Sequence, residues 1–343
     1  MRKTTIAMMI SGIMLILPAC SIQTDLDMPQ TSNDTASAAI SSEVSLETDQ
    51  ADSTQQADST DPAKSTDPAK STVTEQNWSA GLFLEFEGAH GIVFDGKGNM
   101  FIGKKTQEIY KVTPDAQISL FLTVDSLTEK TDKTKIWSMH MGPGGYIYAA
   151  AGDRILKIND EGSAETFILD DFAGEWGACD LTFDPEGNLY VVHDKMVEKY
   201  GIVPGKKPEK TTLLDGRTGY PLFRAVVGIC FDKEFKALYV SDVFGNKVAK
   251  CTLNEAATIG DITEYAPLGS AEYMASDNDG NIYVALPAKN RLVRIDSDGM
   301  QSFITADNLL KEPTTLAFGK DGFETGSLYV TAKGGVFRVP IEE

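Results

Sequence analysis

Histidine, cysteine and tryptophan are scarce in this chain, with three, four and three among 343 residues. One cysteine, Cys20, lies in an apolar N-terminal segment, and the odd number left makes no disulfide framework. Basic residues are few as well: 31 Lys and Arg stand against 50 Asp and Glu, a formal charge of −19. Such a surface repels phosphate backbones, so no nucleic acid is expected among its partners. No apolar run is long enough to cross a bilayer as a stable helix; Ile6 to Leu17 spans about a dozen residues. Missing too are a G-x-S-x-G nucleophile elbow, an H-E-x-x-H pair, a Walker-type phosphate loop and a C-x-x-C pair.

Composition divides what is present into three zones. Residues 1–19 carry Arg2 and Lys3 ahead of the short apolar run, the layout of a signal peptide. The run ends in Leu17-Pro18-Ala19-Cys20, which resembles a bacterial lipobox. That resemblance implies cleavage before Cys20, lipidation of its thiol and an extracytoplasmic protein anchored to a bacterial cell membrane. An ordinary secretory signal with an incidental Cys20 is the alternative. Residues 20–77 are rich in Ser, Thr, Asp, Gln and Ala and contain the tandem STDPAKSTDPAKST. Eleven acidic residues face Lys64 and Lys70 there, with too little apolar surface to offset the entropy of ordering. A disordered tether follows from that composition, with a reach of roughly 40 Å.

Residues 78–343 repeat one unit six times: GIVFDGKGNMFIG, SMHMGPGGYIYAA, DLTFDPEGNLYVV, GICFDKEFKALYV, YMASDNDGNIYVA and TLAFGKDGFETGSLYV. Asp95, Gly142, Asp184, Asp232, Asp277 and Gly319 mark equivalent positions 42–48 residues apart, the period of a propeller blade. A strand with a basic residue between apolar ones follows most units: IYKV, ILKI, VAKC, LVRI and VFRV. The prediction is an all-β, six-bladed propeller. In its first blade, strands are expected over 91–95, 100–103, 108–113 and 118–124. Trp78 to Phe86 is expected to pair with the last unit and close the ring, removing exposed edges. Cys230 and Cys251 fall on the first and third strands of one blade, about 10 Å apart and too far to bridge; Cys179, Cys230 and Cys251 are therefore expected to be unpaired thiols, either buried or in an environment that is not strongly oxidising. Asp277-Asn278-Asp279-Gly280-Asn281 superficially matches a calcium loop but lacks its remaining ligands and recurs in degenerate form, so it reads as a hairpin turn. Lys206, Lys207, Lys210, Arg217 and Arg224 read as a solvated basic stretch.

These six units resemble the propellers of the gluconolactonase, regucalcin and LRE family, with NHL-like repeats. The resemblance implies a ligand site in the central channel and hydrolysis of small lactones or esters. It also implies a divalent cation, commonly calcium, held by Glu, Asn, Asn and Asp at the start of the innermost strands. The corresponding positions here are His90, Trp137, Cys179, Val227, Glu272 and Thr314. Against the family's ligands stand His90, Cys179, Val227 and Glu272, and Val227 cannot bind a metal. Six to eight calcium oxygens are not on offer.

Two sharper readings remain. Glu272, His90 and Asp180 could form a rearranged metal site, with zinc the better match to His, Cys and carboxylate ligands. Alternatively, Glu272 acts as a general base in a dry channel walled by Trp137, Val227 and Tyr273. In the hydrolase reading Glu272 is the central catalytic residue, with His90 and Asp180 supporting it. Trp137, Tyr273 and Cys179 are then ligand contacts, or simply packing, and Cys179 fits packing better. His140 reads as a core or interblade histidine, and His193 carries no pattern. A non-catalytic propeller that grips a small molecule, an envelope polymer or a protein is the competing function, and a monomer is expected in either case.

Overall fold

Six antiparallel sheets follow one another along the chain, each running from a strand on the ring axis to one at the rim. The computed structural model describes residues 74–76, 79–124, 135–170, 172, 174, 176–218, 223–304 and 310–341. The signal segment, Cys20, nearly all of the tether and Trp78 lie outside the described residues. The innermost strands are Ala89–Phe94, Ser138–Met141, Asp180–Phe183, Val226–Phe231, Met274–Ser276 and Leu316–Phe318. Each lies against the innermost strand of the next blade, and the sixth lies against the first. The result is the six-bladed propeller that the repeat predicts. In the first blade the strands are Ala89–Phe94, Met100–Lys104, Glu108–Val112 and Ile118–Thr123, within two residues of the expected bounds.

Burial falls from axis to rim. Ala89–Phe94 and Val226–Phe231 are buried at every residue, whereas the rim strand Ile259–Ala266 buries only Ala266. Six apolar clusters fill the six interfaces between neighbouring blades. At about 1.5–3 kcal/mol for each fully buried aliphatic side chain, these interfaces dominate the favourable energy of folding. In five of the six blades the basic residue of the third strand stands directly across from a tyrosine of the second strand: Lys157 opposite Tyr148, Lys199 opposite Tyr190, Lys250 opposite Tyr239, Arg294 opposite Tyr283 and Arg338 opposite Tyr329; in the first blade Lys111 faces Phe101. Lys199 and Lys250 place their ammonium groups over those rings, at 5.4 and 5.7 Å from the centroids.

The Asp-to-Asn turns hold themselves. Asp277 accepts from the backbone N–H of Asp279 and Asn281, at 2.9 and 2.8 Å, and from the Asn281 amide at 2.7 Å. Asp95 and Asp184 bind Asn99 and Asn188 in the same way. With its oxygens so occupied, Asp277 is a turn residue, as the sequence predicts. Cys179, Cys230 and Cys251 are buried free thiols.

Closure involves a strand from the N-terminal side. Gly81–Glu85 pairs antiparallel with Gly335–Pro340 and becomes the rim strand of the sixth blade. Two features differ from expectation. Thr74–Gln76, assigned to the tether, forms a short strand parallel to Ser302–Ile304 at the rim of the fifth blade. Lys210 is not a free solvated charge: it lies 2.9 Å from Asp170 and 3.4 Å from the buried Glu198.

Candidate functional site

The mouth at the starting ends of the innermost strands is a cavity of about 360 Å³. All six positions singled out by the repeat, His90, Trp137, Cys179, Val227, Glu272 and Thr314, line it, together with Tyr273. Lys105, Trp176, Pro287, Ala288 and Glu312 complete the wall. Each inner strand delivers one residue because each blade starts its first strand at the same height on the axis. Gly228 permits the close fit of blades four and five, since a Cβ there would lie 2.3 Å from the Glu272 carbonyl oxygen.

Glu272 is half-buried, and among the described residues no cation or hydrogen-bond donor is paired with its carboxylate. Burial pushes its pKa up to about 7, and the Lys105 ammonium offsets only part of that shift. His90 is 2 % exposed and donates from Nδ1 to the Trp137 carbonyl at 2.6 Å. Its ring meets Trp137 and Tyr273 edge-on, with centroids 5.2 and 5.3 Å away. Burial, then Lys105, lowers its pKa to about 3, so at neutral pH it is an uncharged imidazole with the proton on Nδ1. The Thr315 and Thr331 hydroxyls donate to its backbone carbonyl and hold the strand in place. The Cys179 thiol is buried, donates to the Gly177 carbonyl at 3.4 Å and has its pKa raised by burial. It is therefore inert packing rather than a nucleophile. Tyr273 is likewise held as a neutral phenol by burial.

Asp180 does not join this group at the mouth. It lies deeper in the channel, where a cavity of about 20 Å³ is lined by Ser138, His140, Asp180, Tyr273 and Thr315. Its carboxylate accepts from the N–H of Leu181 at 2.9 Å and of Ile229 at 3.0 Å, tying blades three and four together. Burial raises its pKa to about 7 against the pull of Ser138 and those two N–H groups. Its neighbour is His140, whose Nε2 is 3.7 Å from Asp180 Oδ1. His140 faces the channel with 37 % of its side chain accessible, so of the two places expected for it, core or interblade, the core is excluded.

The residues present do not fit a divalent cation. Among the described residues, no three His, Cys, Asp or Glu side chains are grouped to hold a metal. Of the proposed set, His90 has Nδ1 committed to a carbonyl, Asp180 lies deeper in the channel with each oxygen accepting one backbone N–H, and Glu272 lines the mouth without either of them as a partner. The rearranged calcium or zinc site of Glu272, His90 and Asp180 is therefore not assembled. Sequence reasoning missed Lys105, Trp176, Glu312 and His140. Trp176 had one available signal, as one of only three tryptophans, another of which is Trp137.

Comparison with known proteins agrees with the ring. The family model for the SMP-30/gluconolactonase/LRE-like region matches residues 89–334. Among solved structures, regucalcin from Agrobacterium tumefaciens, a calcium-binding protein, superposes with a TM-score of 0.58 and 15 % identity, over 78 % of this chain and 95 % of that one. A gluconolactonase from Xanthomonas campestris gives a TM-score of 0.57 and 13 % identity, over 78 % and 87 % of the two chains. Virginiamycin B lyase from Staphylococcus aureus gives 0.55 and 13 %, over 78 % and 100 %. At these identities the likeness is one of fold. No curated protein matches the sequence.

Proposed function

This chain belongs to the SMP-30/gluconolactonase/LRE-like family, and from that premise we propose that it hydrolyses small lactones or esters at the channel mouth without a divalent cation. The observation that carries this reading is Glu272, a carboxylate with no paired cation among the described residues and a pKa of about 7, in a cavity walled by Trp137, Trp176 and Tyr273. At neutral pH a substantial fraction is ionised and able to take a proton, the condition a general base requires. In this mechanism the Glu272 carboxylate deprotonates a water molecule, and the hydroxide adds to the substrate carbonyl carbon. The Lys105 ammonium faces the oxyanion that develops. Collapse breaks the acyl C–O bond, and Glu272 returns the proton to the departing alkoxide. A lactone gives a hydroxy acid; an ester gives an acid and an alcohol. His90 acts as a neutral post that sets the positions of Trp137 and Tyr273.

The test is a panel of lactones and aryl esters assayed in EDTA and then with added calcium, magnesium or zinc. The expected result is turnover that EDTA leaves unchanged. Turnover that requires an added ion overturns the metal-free mechanism. No turnover with any substrate favours a second reading, a binding propeller for a small molecule or envelope ligand. That reading draws on the loss of metal donors at His90, Cys179 and Val227.

The N-terminal segment supports anchoring of the protein to a bacterial membrane through lipidated Cys20, outside the cytoplasm. Cys20→Ala removes the acylated thiol, so the protein is expected to leave the detergent-dependent membrane fraction. Unchanged fractionation would rule out the lipid anchor.

A further inference from the structure

The opposite end of the channel carries a second constellation that the mechanism above does not use. Where the inner strands finish, a cavity of about 600 Å³ opens, larger than the one at the first mouth. Its inner wall is apolar and polarisable, built from Met139, Met141, Met274, Phe231 and Phe318. His140 lines both this cavity and the small one behind it, and so joins the two.

Three polar side chains, Ser138, His140 and Asp180, converge in that small niche. Asp180 is buried among apolar strands; its carboxylate accepts from two backbone N–H groups, with the His140 ring and the Ser138 hydroxyl as side-chain neighbours and no Lys or Arg paired with it among the described residues. His140 Nε2 lies 3.7 Å from Asp180 Oδ1 on an uncharged ring, since burial, then Lys320, lowers its pKa to about 4; with the proton on Nδ1, Nε2 accepts. The Ser138 hydroxyl is close enough to favour the charged form of Asp180, yet its Oγ completes no hydrogen bond of good geometry. A space of about 20 Å³ takes one water-sized group. An ammonium has that size, three N–H donors and the charge that a buried carboxylate lacks.

We propose that this end of the channel binds a small primary organic ammonium, with its NH3⁺ group in the Ser138–His140–Asp180 niche and its apolar body in the 600 Å³ cavity. The methionine sulfurs and phenylalanine rings suit a flat or branched hydrocarbon body next to a cation. Lys320 and Lys233 stand at the outer rim with Asp232, Glu234 and Asp277, so the rim has no single sign to oppose entry of a cation. The formal charge of −19 attracts cations from a distance.

Isothermal titration of the purified full chain with benzylammonium, benzyl alcohol and benzyltrimethylammonium tests the assignment. The three share an aromatic body and differ in charge and N–H donors. Benzylammonium is expected to bind at least about tenfold more tightly than either of the others, because only it makes charge-assisted N–H bonds to the niche. Asp180→Asn and His140→Leu are each expected to weaken it by about tenfold, and Ser138→Ala by about threefold. Glu272→Gln is expected to leave this affinity unchanged, which separates the site from the one at the first mouth. Asp180→Asn disturbs two backbone hydrogen bonds; if it does not fold, His140→Leu and Ser138→Ala carry the test. Equal affinity for all three probes, no binding at about 10 mM, or affinity indifferent to His140 and Ser138 overturns the proposal.

Discussion

Glu272→Gln lowers lactone or ester turnover by about 10²–10⁴-fold, the usual contribution of a positioned general base. The loss falls on kcat, because glutamine keeps the shape and polarity that a bound substrate meets in the cavity. In the unaltered protein the rate rises with pH and levels off above about 7, following ionisation of Glu272. Stability moves in the opposite direction. A carboxyl whose pKa is higher in the folded than in the unfolded chain binds its proton more tightly when folded. Glu272 and Asp180 both have folded values of about 7, so the stability they contribute is full below the ordinary carboxyl range near 4 and is lost as pH climbs through 7. Glu272→Gln removes one of these two penalties. Its melting temperature at pH 8 therefore equals or exceeds that of the unaltered protein, while its activity collapses. Melting curves at pH 5 and 8 with matched rate measurements check both halves. A variant that keeps its activity excludes Glu272 as the base, and one that loses activity together with its fold shows only a structural role.

The ring was legible because its determinants repeat. Asp95, Asp184 and Asp277 recur at fixed offsets from Asn99, Asn188 and Asn281, and each pair closes its hairpin by local hydrogen bonds that depend on nothing distant. The mouth was legible for the same reason: a position fixed relative to the turn in one blade is fixed in all six, so His90, Trp137, Cys179, Val227, Glu272 and Thr314 meet in one cavity. What the period could not give was depth and loop reach. Asp180 follows Cys179 by one residue, but a strand alternates its faces, and that single step carries the side chain from the mouth to the interior beside His140. His140 looks apolar in SMHM, and nothing in that run shows that its ring faces a channel. Lys105 comes from the turn between the second and third strands and Trp176 from a connection between blades; these segments differ in length and sequence from unit to unit, so no alignment of units singles them out. The ionisation of Glu272 was anticipated from burial, whereas the opposing Lys105 charge was visible only in three dimensions.

A chain that begins at residue 87, and so lacks Gly81–Glu85, is expected to lose cooperative melting or to aggregate at temperatures where the longer chain is soluble. Among the described residues, the missing strand is the partner of the outer edge of Gly335–Pro340. Phe83 packs on Tyr329 and Phe323 at centroid distances of 5.2 and 5.9 Å, and Leu84 joins the same apolar cluster. Removing two such side chains costs about 2–5 kcal/mol, before the loss of the ladder hydrogen bonds is counted. Against a total stability of about 5–15 kcal/mol, that is a large share. The exposed edge adds a kinetic hazard, because an unpaired strand templates pairing with another copy. The comparison uses a chain starting at residue 72 as the reference, with melting curves and size-exclusion profiles as readouts. A synthetic peptide of residues 79–87 added to the shortened chain should restore part of the lost stability, since the strand binds as a separate rim element. Equal melting of the two chains, with no effect of the peptide, would mean that the five other interfaces hold the ring without a closing strand.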